Sequence, residues 1–89
     1  PSDYFLGQNY PNPFNPSTQI MFSTKITGNA SLEVYNLLGQ RVATLFNEIA
    51  TANTLYSIQF DAENLASGVY LYSLRTPNGI EVKKMCLIR

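Results

Sequence analysis

The feature that most constrains this chain is period-two alternation. It is clearest in "LYSIQFD" (55–61), where Tyr56, Ile58 and Phe60 fall on one side and Ser57, Gln59 and Asp61 on the other. A helix would scatter those apolar positions around its axis, whereas a strand gathers them on one face. The pattern recurs along the chain. "TQIMFST" (18–24) sets Ile20 and Phe22 together, "SLEVYN" (31–36) turns Leu32 and Val34 in and Ser31 and Glu33 out, and "VYLYSLRT" (69–76) aligns Tyr70, Tyr72 and Leu74. Two further runs break phase. "RVATLF" (41–46) carries Val42 and Leu45 at odd spacing, which predicts a bulge, and "IEVKKMCLI" (80–88) has Val82 and then Met85 and Leu87.

Turn chemistry separates these runs. Gly28-Asn29 and Leu38-Gly39-Gln40 offer positions that tolerate positive φ, and Gly68 opens the "VYLYSLRT" run. "TPNG" (76–79) suits a tight turn with Pro77 second and Gly79 left-handed. "DAENL" (61–65) is expected to form one helical turn with Asp61 as its N-cap. Six short strands, an extended lead-in and no sustained helix predict an all-β antiparallel β-sandwich of about seven strands. Its interior is expected to hold Ile20, Phe22, Leu32, Val34, Val42, Tyr56, Ile58, Phe60, Tyr72 and Leu74. Tyr70, placed just after a short corner segment, matches a tyrosine corner, whose hydroxyl bonds backbone a few residues upstream.

The lead-in "NYPNPFNPST" (9–18) blocks helix and sheet alike. Residues before proline are pushed to extended geometry, so Tyr10, Asn12 and Asn15 are expected to be extended. Pro11, Pro13 and Pro16 lack an N–H and suit an edge that discourages pairing with a second molecule; a monomer is expected. In one reading Tyr10 and Phe14 plug the end of the sandwich. In the other, Asn12, Pro13, Asn15 and Pro16 form a docking loop for a partner.

Charged residues are only 13% of the 89, and the net charge is zero, so no overall field draws the chain to nucleic acid. Locally, Arg75, Lys83, Lys84 and Arg89 face the single acid Glu81 in the last fifteen residues. That cluster reads either as a solvated strand face or as a surface for an acidic receptor. Histidine is absent, and Cys86, the one cysteine, reads as a small buried hydrophobe. Asp61, Glu63 and Asn64 form a poor calcium set, better suited to capping. No phosphate-binding, dinucleotide or nucleophile-elbow motif occurs, so neither an enzyme nor a cofactor is expected. Asn29-Ala30-Ser31 matches the glycosylation sequon, a weak signal. No apolar run approaches the length of a membrane-spanning helix. The chain opens on "PSDYF" without methionine, and a piece of a longer protein is expected, with 1–7 the end of a linker and 8–89 the domain.

Four stretches together resemble the type A C-terminal sorting domain of the type IX (Por) secretion system. They are "LGQNYPNPFNPSTQIMFS" (6–23), "LEVYNLLGQRVATL" (32–45), "LASGVYLYSL" (65–74) and "KKMCLIR" (83–89), in the family's order and over nearly the whole chain. The resemblance implies an immunoglobulin-like sandwich ending a cargo protein that crosses the periplasm and outer membrane of a Bacteroidetes-like bacterium. It implies the outer-membrane translocon and the surface processing machinery as partners, the family's domain being commonly removed at the surface. The family's shared basic tail falls on Lys83, Lys84 and Arg89. Asn53-Thr54 stand where the family often has a glycine-containing turn, and "STKITGN" (23–29) lacks the proline common after the first strand. A structural immunoglobulin-like spacer, or a flagellar-hook-cap-like domain, is the alternative, since "VYNLLGQRV" and "SGVYLY" are similar to strands of the latter.

Overall fold

The computed structural model describes residues 3–89. Seven strands follow one another: β1 (Tyr4–Leu6), β2 (Ser17–Thr24), β3 (Gly28–Tyr35), β4 (Arg41–Ala50), β5 (Tyr56–Asp61), β6 (Gly68–Thr76) and β7 (Gly79–Leu87). They form two antiparallel sheets, β1-β2-β5 and β4-β3-β6-β7. The sheets face each other across Ile20, Phe22, Leu32, Val34, Phe60, Tyr72 and Leu74, all buried as the alternation requires. Val42, Tyr56 and Ile58 are partly buried against that core.

Aromatic rings tie the layers at both ends. Phe22 and Tyr56 of the three-stranded sheet meet Phe46 of the other with centroids 5.1 and 5.2 Å away, and Phe22 and Tyr56 stack at 5.1 Å. Phe14, from the lead-in, lies 6.1 Å from Phe60. Such pairs add roughly 0.5–1.5 kcal/mol each beyond the area they bury.

The phase break in β4 has its cause in the pairing. Leu32 pairs with Phe46 and Glu33 with Thr44; Val34 pairs with Ala43 and Tyr35 with Arg41. Leu45 and Val42 are therefore the unpaired extra residues of two bulges, which let both lean on the core from an edge strand.

Several expectations are corrected. Residues 4–6, read as linker, form β1 against β2 and bury Leu6; Pro1 and Ser2 lie outside the described residues. Gly28-Asn29 is no turn but the start of β3, because β4 runs far enough to pair both through Ala50 and Ile49. Tyr10 is 81% exposed and plugs nothing; Phe14 alone enters the core. In β7, Met85 and Leu87 are buried, and strict alternation puts Val82 and Cys86 on the outer face, Cys86 only half-buried. The 61–65 segment makes a turn rather than a helical one. Asp61 Oδ1 accepts the Glu63 N–H (3.1 Å) as expected of a cap, but the following carbonyls are engaged by Arg89 instead of a next helical turn.

Gly79 closes the β6–β7 hairpin at φ 147°, and a Cβ there would stand 2.9 Å from the Tyr4 hydroxyl. β1 thus seats itself over a position that only glycine leaves open. Asn53, where the family pattern led to expect a different loop, takes φ 59°, a left-handed backbone that asparagine tolerates, and donates its N–H to Thr24 O (2.7 Å).

Candidate functional site

The lead-in runs from one sheet to the other. Tyr10 exchanges backbone bonds with Gln19 of β2 (3.0 Å each), while Phe14 donates to Cys86 O and accepts from Ile88 N–H (3.0 Å each) beside β7. Asn12 Oδ1 accepts the Cys86 N–H at 3.0 Å. The prolines explain why the segment stops at these isolated bridges: each removes one donor and breaks the ladder before it can extend.

Beneath the segment lies a buried polar knot that sequence reasoning missed. Asn9 Nδ2 donates to Thr18 Oγ1 (3.0 Å) and Pro11 O (3.1 Å), and Thr18 Oγ1 donates to Pro11 O (2.8 Å). The Tyr72 hydroxyl accepts the Asn9 N–H and donates to Gly7 O, both at 2.8 Å. Burial pushes the Tyr72 phenol up to about 12, with the Asn9 N–H pulling the other way and the Glu81 carboxylate adding to the rise. Gln8 Nε2 reaches Asn9 Oδ1 (2.7 Å) and Lys84 O (2.9 Å). One sign was legible, since Thr18 stands in phase with Ile20 and Phe22 and so had to point inward.

The basic residues separate. Lys83 lies on the inner side of β7, 3.6 Å from Glu81. Lys84, one residue on, faces outward and is exposed. Arg89 folds back so that Nη1 donates to the carbonyls of Ala62 (2.9 Å), Glu63 and Leu65 (3.1 Å), fixing the β5–β6 corner. In that corner the Tyr70 hydroxyl donates to Ala66 O at 2.6 Å, as the tyrosine-corner reading anticipates, and Gly68 opens β6. Asn12, Pro13 and Asn15 are exposed and Pro16 is half-buried. The candidates from the two ends of the sequence therefore meet along one edge, where 12–14 lies against 86–88. Among the described residues no three His, Cys, Asp or Glu side chains gather as metal ligands. Gly39, at φ 83°, lies in the β3–β4 turn.

No curated protein matches the chain. Among solved structures, dimeric latent PorU from Porphyromonas gingivalis superposes with a TM-score of 0.70 at 20% identity, over 96% of this chain and 9% of that one. The BSP domain of a biofilm associated protein gives 0.57 at 16% identity, over 93% and 15%. At these identities the likeness is one of fold, and this chain spans a small part of either protein. Residues 8–88 match the secretion system C-terminal sorting domain, and the chain belongs to that family, the sorting signals of type IX secretion.

Proposed function

We propose that this domain is the folded export signal of a longer protein, read by the type IX outer-membrane machinery along the edge where the proline lead-in meets the last strand. The cargo lies upstream in the same chain, crosses the periplasm and outer membrane, and reaches the surface or the medium, where processing machinery removes the domain. The boundary between cargo and signal falls before β1. The domain acts as a monomer, without catalysis and without cofactor.

One observation carries this reading: the backbone exchange of Phe14 with Cys86 and Ile88, backed by the Asn12 side chain on the Cys86 N–H. It makes the unusual lead-in and the basic tail a single rigid feature that exists only when the sandwich is folded. A receptor can then test foldedness and identity in one contact. Lys84 is the exposed cation of that edge, Lys83 flanks it from the inner side, and Arg89 holds the neighbouring corner in place.

The test is a cargo fusion in a host with this secretion system, carrying Lys83→Ala with Lys84→Ala. Lys84 is exposed and Lys83 is half-buried in a single ion pair with Glu81, and such charges contribute at most about 1 kcal/mol each, so the domain stays folded. Loss of an electrostatic contact lowers surface delivery and leaves cargo in the periplasm. A folded double variant exported like the parent would reduce the two lysines to a solvated face and leave Asn12, Pro13, Asn15 and Pro16 to carry recognition.

A further inference from the structure

The outer face of β3, β6 and β7 carries a groove of about 270 Å³ whose floor and walls include Tyr35, Leu37, Leu71, Ile80 and Val82. Val82 is 52% exposed, Leu37 66% and Leu38 83%. The two leucines are not loosely displayed. Asn36 Oδ1 accepts from the Leu38 N–H (2.9 Å) and Gln40 N–H (3.0 Å), Asn36 N–H donates to Gln40 O (3.0 Å), and Gly39 supplies the left-handed turn. Holding apolar side chains in a fixed, solvated turn is unfavourable for an isolated domain. It does pre-organise anchors for a partner.

Charge frames the strip. Arg75 pairs across from Ile80, and Lys84 across from Leu71, so the two cations stand at opposite ends of the apolar floor. Four residues of strand separate them, about 13 Å. Neither takes part in an ion pair among the described residues. The one carboxylate on this face of β3, β6 and β7 is Glu33, already bound by Arg41 (3.1 Å) and the Tyr35 hydroxyl (2.8 Å). The face thus presents apolar surface between two uncompensated positive charges.

Resting on the export-signal reading, we infer that this face is a second docking surface, which takes an extended apolar segment of a partner protein flanked by carboxylates. A second copy of this chain fits poorly, because a two-fold contact through the face sets Arg75 and Lys84 either against their own equivalents or against each other, and both arrangements oppose like charges. A flat bilayer surface would not fill a groove recessed between the 36–40 turn and β7.

The experiment uses the longer protein in its secreting host, with Arg75→Glu as one variant and Leu37→Ser with Val82→Ser, both lining the groove, as another. All three positions are exposed, so both variants keep the parent melting temperature. Surface delivery is expected to fall about tenfold in each, the scale of one lost or reversed interfacial contact. A photo-crosslinker at Leu37 is expected to yield one protein adduct that Arg75→Glu abolishes. Unchanged delivery by both folded variants overturns the inference. So does flotation of the parent, but not of Arg75→Glu, with phosphatidylglycerol vesicles, which would make the occupant a lipid surface. A sedimenting dimer lost in the variants overturns it in favour of self-association. Parent cargo that never leaves the periplasm overturns the export reading itself, and this inference with it.

Discussion

Tyr70 places its hydroxyl 2.6 Å from the Ala66 carbonyl, four residues upstream and across the Gly68 position. The bond fixes the corner through which the chain leaves one sheet and enters the other. Removing it leaves Ala66 O to water, because the corner is at the surface, so the loss is that of one net hydrogen bond. Tyr70→Phe is expected to cost about 1 kcal/mol, read as a lowered denaturant midpoint at unchanged slope. An unmoved midpoint would remove the corner role. Arg89 acts at the same corner from the other end of the chain. Its position in the sequence gave it the look of a free basic tail, and only the return of β7 beside residues 62–65 turns it into a clamp on three carbonyls.

β7 is the element on which the others depend. It buries Met85 and Leu87, pairs along its whole length with β6, and supplies the carbonyl and amide that hold Phe14. Fully burying an apolar side chain contributes roughly 1.5–3 kcal/mol, so Met85, Leu87 and the released Phe14 together reach about 4.5–9 kcal/mol. A domain of this length has a total stability of about 4–13 kcal/mol. Truncation after Gly79 is therefore expected to abolish folding, seen as loss of the β-sheet circular dichroism and rapid proteolysis. A cooperative melt by the truncated chain would show that β7 is dispensable. The β4 edge is a free edge of the four-stranded sheet. Its two bulges distort the ladder and leave a twisted rather than flat edge, which disfavours pairing with another molecule.

Across the whole molecule, the polar knot under the lead-in joins three segments distant in sequence: Gly7–Asn9, Thr18 and Tyr72. Its alkaline behaviour follows from Tyr72. The folded pKa stands at about 12, above the ordinary 10.0, so the unfolded chain loses that proton first. The contribution is present in full below the ordinary value and drains away as pH rises towards the folded one. Denaturant midpoints are expected to hold up to about pH 10 and then fall, with the Tyr72→Phe variant weaker at neutral pH and less steep in the alkaline range. Equal alkaline slopes in the two proteins would show that other groups govern the decline.

Alternation determined the strands from β2 to β6 and most of their buried faces, because a period of two admits one side-chain partition per strand, but it missed β1 and the first two residues of β3. The glycine of a tight turn and the tyrosine of the corner were legible for a similar reason: each is a local requirement of backbone or of near neighbours. Phase breaks were legible as breaks, but their resolution was not. In β4 they became bulges that bring Val42 and Leu45 to the core, while in β7 the alternation held and Val82 went outside. Contacts between distant segments decided the rest. Phe14 entered the core and Tyr10 did not because β7 and β2 offer their edges to alternate parts of the lead-in. Asn9 went inside because Tyr72 and Thr18 waited there with hydrogen bonds, whereas the parting of Lys83 and Lys84 to opposite faces follows from alternation alone. Local pattern fixes the strand, whereas the partners of a buried polar group and the neighbours of a surface charge exist only once the sheets have met.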